Sequence, residues 1–226
     1  MWLRYVTFTT RGRQELPEKQ RIRIANTLKS ILLDEFLKLN GYVDATQLFP
    51  SFGKGGLSAE ELLKIKTKYA AEPEEGIFTG KMIAWFFPKR FINRLKEHFP
   101  NTEFVDGAKV PCFIDPKNRD ASFPQFYFAG TDMGFQEDIS LLSYKIKTEI
   151  FHLTGKDGEN WIKKYIEEAD KKKIQMLKEL HYNALYRADT VPIVFCPYVS
   201  VVRSPWKMNF PRYTYDNNFW QLEYGK

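Results

Sequence analysis

"WLRYVTFTT", residues 2–10, decides how the chain is read. β-Branched and aromatic residues fill it, and such side chains suit a pleated, packed surface. Alternate residues of a strand point to opposite faces. Leu3 and Tyr5 fall on one face and Val6 and Phe8 on the other, so both faces carry large side chains. A strand of this kind belongs in the centre of a sheet. Working outward, "RGRQEL" (11–16) reads as a turn, and Pro17 suits the first turn of a helix, where its missing N–H costs nothing. Residues 17–39 then repeat apolar side chains at helical spacing: Ile24, Leu28, Ile31, Leu32, Phe36 and Leu39. Asn40-Gly41 is a fitting stop.

"SFGKGGLSAEELL", residues 51–63, looks at first like a phosphate cradle leading into a helix. Its electrostatics argue otherwise. Ser58 and Glu61 have capping-box spacing. Glu60 and Glu61 occupy the electropositive first turn that a phosphate would need. The glycine spacing also misses the P-loop pattern. The stretch therefore reads as a loop followed by a capped helix.

Further on, "AAEPEEG" (70–76) is an acidic, proline-containing break. "IFTGKMIAWFF" (77–87) reads as a strand and "PKRFINRLKEHF" (88–99) as a helix. "TEFVD", "VPCFID" and "FPQFYFAG", between residues 102 and 130, suggest a small meander with Asp106-Gly107 as a turn. A helix is expected over about 136–153. A helical region over about 159–187 follows, either solvated in its middle or broken in two at "EEADKKK". "VPIVFCPYVSVVR" (191–203) is the strongest late strand. The expected fold is α+β: a mostly antiparallel mixed sheet with helices packed on it, in one domain over 1–226 with a weak boundary near 71–76.

The 226 residues are 43% hydrophobic, 27% charged and 16% aromatic, as befits a protein with a sizeable core. Residues 1–40 hold eight basic and four acidic groups, out of 34 and 28 in the whole chain. A basic pole of this kind can meet nucleic acid, with Arg11, Arg13, Lys19, Arg21 and Arg23 as the contacting residues. Cys112 and Cys196 sit in apolar strand-like segments and read as buried thiols or one disulfide. No ligand spacing for a zinc site is present. The N-terminus lacks the pattern of a cleaved leader and no stretch suits a membrane helix, so the cytoplasm is expected.

Two functional readings follow. In the first, the chain is a non-catalytic, cofactor-free cytoplasmic protein that binds a macromolecular partner, in the manner of an immunity or antitoxin protein or a mobile-element accessory factor. The ring-rich C-terminus supplies the contact surface through Arg203, Trp206, Lys207, Arg212, Tyr215 and Trp220, since rings and arginines concentrate at interfaces. In the second, Asp106 and Asp115 hold magnesium on neighbouring strands and Lys117 steadies developing charge. This Asp…Asp-x-Lys set resembles the motif of the restriction-type nuclease superfamily over residues 103–117. The resemblance implies metal-dependent phosphodiester cleavage. His152-x-Thr154 resembles one element of two-histidine phosphoesterases, but that chemistry needs two such elements. Thr154 before Gly155 instead reads as helix capping.

Overall fold

Strand β1 (Trp2–Phe8) is the spine of a six-stranded sheet, flanked by β5 (Phe126–Asp132) and β6 (Thr190–Cys196). The computed structural model describes residues 2–39, 41–49, 54–73, 76–106, 123–132, 142–143, 146, 150–153, 155–196, 206–208 and 222–224. The sheet order is β2-β6-β1-β5-β3-β4, with β2 at Val43–Asp44, β3 at Met82–Trp85 and β4 at Thr102–Val105. β1 runs antiparallel to both of its neighbours, and β2 antiparallel to β6. β3 is parallel to β4 and to β5. The sheet is thus mixed, where a mostly antiparallel one was expected.

The middle strand of the expected meander, "VPCFID" (110–115), falls outside the described residues, and another strand takes its place between the outer two. β4 and β5 are not neighbours, because β3 lies between them. Met82 and Ala84 of β3 enter one core while Ile83 and Trp85 pack on the other. A strand covered on both faces suits a parallel position in the sheet interior.

The alternation of β1 divides the first compact unit, Met1–Cys196, into two cores. Val6 and Phe8 meet helix α2 (Glu18–Phe36) through Ile24, Leu28, Ile31 and Phe36, and helix α4 (Lys89–His98) through Phe91 and Leu95. Leu3 and Tyr5 meet the other layer. There stand helix α3 (Ala59–Ala70), helix α5 (Gly155–Glu167) and helix α6 (Asp170–Tyr186), with Ile65, Tyr165, Leu177 and Leu180 buried. The region 159–187 is therefore two helices, broken at Glu168–Ala169.

"RGRQEL" is a helix and not a turn: α1 spans Thr10–Glu15, with the Thr9 hydroxyl accepting from Gly12 N at 3.1 Å. Six residues are too few for a helical period to show. Gly12 is required there, since a Cβ at this position would collide with the Gln125 carbonyl. The capping box of α3 forms as its spacing predicts. Ser58 Oγ accepts from Glu61 N at 3.2 Å, and Glu61 Oε2 accepts from Ser58 N at 2.7 Å. Buried His181 pins the preceding loop to α6. Its Nε2 accepts from Leu48 N at 2.8 Å, and its Nδ1 lies 2.8 Å from the Gly55 carbonyl as donor. In the second unit, Pro197–Lys226, strands β7 (Trp206–Met208) and β8 (Leu222–Tyr224) pair antiparallel, Trp206 opposite Tyr224.

Candidate functional site

Two parallel strands, β3 and β4, end together beside the start of β5. Trp85 of β3 lies beside Val105 of β4 and Tyr127 of β5. In open α/β sheets the space beyond the carboxyl ends of parallel strands is where ligands sit. The chain is unusual at this point. Phe86, the first residue past β3, has φ 65°, a left-handed backbone that bulky side chains rarely adopt. Its N–H donates to the Val105 carbonyl at 3.1 Å. Its ring meets Trp85 and Tyr127 edge-on, with centroids 5.9 and 6.2 Å apart.

That backbone twist breaks the alternation of the strand. Ala84 and Phe87 enter one core, whereas Trp85 and Phe86 both lie on the other side. Trp85 is buried against Phe123, and Phe86 is half-exposed. The result is an aromatic ledge at the strand ends. Phe87 anchors it from beneath, against Phe104, Phe126 and Phe128.

Charge frames the ledge. Asp106, just past β4, receives Lys89 Nζ from the first turn of α4 at 3.3 Å. The N-cap of α4 is Pro88, which makes no side-chain cap, and the first turn carries no acid. Among the described residues, its electropositive end therefore lacks a side-chain cap and suits a negative group. Behind the ledge, buried Gln125 ties β3 to α1. Its Oε1 accepts from Ile83 N at 2.6 Å, and its Nε2 donates to Glu15 at 2.8 Å. Arg11 and Gln125, both bonded to Glu15, hold that carboxyl below its ordinary range. Such a ledge offers an apolar seat, backbone groups and one charge of each sign. These are features for holding a ligand.

Of the three residues expected to act in catalysis, one is described. Asp106 pairs with Lys89 at this edge, while Asp115 and Lys117 fall outside the described residues. The expected partner-binding residues Trp206 and Lys207 lie on β7, opposite Tyr224 and Glu223. Arg203, Arg212, Tyr215 and Trp220 fall outside the described residues, as do Cys112 and Thr154. Cys196 is a buried free thiol.

The five basic residues expected to meet nucleic acid are braces within the protein. Arg11 holds Glu15 and the Phe123 carbonyl, both at 2.7 Å. Arg13 donates to the Phe8 carbonyl. Lys19 and Arg23 converge on Glu72, at 3.4 and 3.2 Å. Arg21 is buried and donates to the Leu16 and Arg187 carbonyls, both at 2.8 Å. It also faces Asp189 at 3.6 Å, as does Arg187 at 3.7 Å. Burial pushes the Asp189 carboxyl up, while Arg13, Arg187 and Arg21 pull it down. Burial likewise pushes neighbouring His152 down, with Arg187 and Arg13 adding to the effect. A nucleic-acid partner is not supported.

No protein-family model matches the chain, and no curated protein matches it. Solved structures share its fold. An oligopeptide-binding protein of clavulanic acid biosynthesis superposes with TM-score 0.54 at 13% identity, over 85% of this chain and 40% of its own. A periplasmic oligopeptide-binding protein from Borrelia burgdorferi gives 0.51 at 10% identity, over 85% and 42%. An ABC transporter substrate-binding protein from Listeria monocytogenes gives 0.51 at 15% identity, over 85% and 43%. The chain spans about two fifths of the length of these proteins. These neighbours correct the functional expectations. They are solute-binding proteins, one of them periplasmic, and this overturns the cytoplasmic immunity- or antitoxin-like protein, the mobile-element factor and the nuclease alike. Among the described residues, no helix is long and apolar enough to cross a membrane.

Proposed function

We propose that this chain forms a ligand-holding lobe of an extracytoplasmic solute-binding protein, and that its ligand is a short peptide. The observation that carries this reading is the fold, shared with oligopeptide-binding proteins over 85% of the chain. The ledge at the ends of β3 and β4, beside the start of β5, supports it. An extended peptide points successive side chains to opposite faces and carries a charge at each end. The half-exposed Phe86 ring suits an apolar side chain. The α4 terminus and the Lys89–Asp106 pair suit those charges.

Native mass spectrometry of the chain with a pool of tri- to pentapeptides tests the reading. Discrete one-to-one adducts are expected, and Phe86→Gly is expected to lose them while remaining folded. Glycine accepts φ 65° without strain, so relief of about 1–3 kcal/mol offsets the lost ring packing. An absence of adducts, or adducts unchanged in Phe86→Gly, would count against the ledge as the seat.

A further inference from the structure

The apolar face of α3 is only partly covered. Of its apolar side chains only Ile65 is buried, and Leu63 is 62% exposed, although the capping box makes this a well-formed helix. An amphipathic helix ordinarily turns its apolar stripe onto a core. Here α3 stands away from α2 and β6 and leaves a cleft of about 550 Å³. That volume is in the range of small-molecule sites.

The cleft walls are aliphatic: Leu62, Leu63 and Ile65 from α3, and Leu185, Val191 and Pro192 opposite. The polar groups along them are largely spent. The Tyr69 hydroxyl donates to the Leu185 carbonyl at 2.9 Å. Lys29 Nζ is neutralised by Asp44 at 2.9 Å and donates to the Ala45 carbonyl at 2.8 Å. The Asn26 amide donates to the Tyr69 and Glu72 carbonyls, at 3.0 and 2.7 Å. Lys66 differs from these. It lines the same cleft, is exposed, and makes no hydrogen bond or ion pair among the described residues. A largely aliphatic trough with an exposed ammonium at its rim suits a ligand with an apolar chain and one negative head.

We infer that the α2–α3–β6 cleft is a binding site for an aliphatic carboxylate, its chain along Leu62, Leu63 and Val191 and its head at Lys66. The site is separate from the ledge at the strand ends.

Isothermal titration calorimetry with sodium decanoate tests it, using circular dichroism melts to confirm that each variant is folded. Leu63 and Lys66 are exposed, so substitutions there leave the fold intact. Saturable one-site binding is expected. Lys66→Glu and Leu63→Glu should each weaken it about tenfold or more, the loss of roughly 1.4 kcal/mol. Lys66→Arg should retain it, and decylamine should bind at least about tenfold more weakly. The inference is overturned by unsaturable heats, by affinity indifferent to Lys66→Glu, or by decylamine binding as tightly as decanoate. Displacement of decanoate by the peptide pool would also overturn it, since the cleft would then hold peptide. So would a concentration-dependent dimer that Leu63→Glu dissolves, since a second copy would then fill it.

Discussion

Phe86 and His181 show how single residues set the local geometry. Phe86 turns two successive rings onto one side of the sheet by adopting φ 65°, and so builds the ledge. His181 works by staying neutral. Burial lowers its pKa from 6.5 to about 4, and both ring nitrogens are committed to backbone partners. A histidine whose folded pKa is depressed contributes stability that is complete above pH 6.5. That stability is lost as pH falls toward 4, because the unfolded chain takes up the proton first. The shift corresponds to about 3 kcal/mol over that window. Urea unfolding at pH 7.5 and pH 4.5 checks this. Wild type should lose about 2–3 kcal/mol more than His181→Gln between the two. Equal losses would show that the imidazole does not govern the acid limb. Neither role was legible beforehand. "WFF" reads as a strand running on, and His181 sits in a helix like any other polar residue. Only the three rings in succession before Pro88 hinted that alternation would break.

At the scale of elements, patterns within one segment were readable and pairings between segments were not. The α3 start was explicit in Ser58-x-x-Glu61, and α2 and α4 in their apolar spacing and leading prolines. Ser58→Ala should cost about 1 kcal/mol, since it frees the Glu61 N–H at an exposed helix start. The cost is checked as a lower urea midpoint at unchanged slope, and an unchanged midpoint would show that solvent replaces the cap. By contrast, nothing inside "TEFVD" or "FPQFYFAG" states that β3 inserts between them. A strand's own residues fix which faces are buried, not which neighbour it takes or in which direction. The parallel β3 was thus read as one more strand of an antiparallel series. The α1 helix was missed because six residues with a glycine among them look like a turn, whereas Gly12 is there for contact with Gln125.

At the scale of the whole chain, counting charges misled and packing corrected it. The basic N-terminal region looked like a surface for phosphates. Yet Arg13 and Arg21 spend their donors on backbone carbonyls, and Arg21 and Arg187 enclose the buried Asp189. Acceptors contributed by the main chain are invisible to a tally of side chains. The α+β class followed from the sequence because helices and strands each bury one period of apolar residues. The solute-binding likeness did not follow, because it resides in the order of strands and no short motif marks it. Lys66 and Leu63 were likewise silent, since an exposed lysine and leucine on a helix ordinarily mean nothing.

Hydrogen–deuterium exchange of the chain with and without the peptide pool addresses the proposed function most directly. Slower exchange is predicted across residues 83–89 and 104–106, the ends of β3 and β4 and the start of α4. Exchange unchanged there in the presence of peptide would contradict the placement of the ligand at the parallel strand ends.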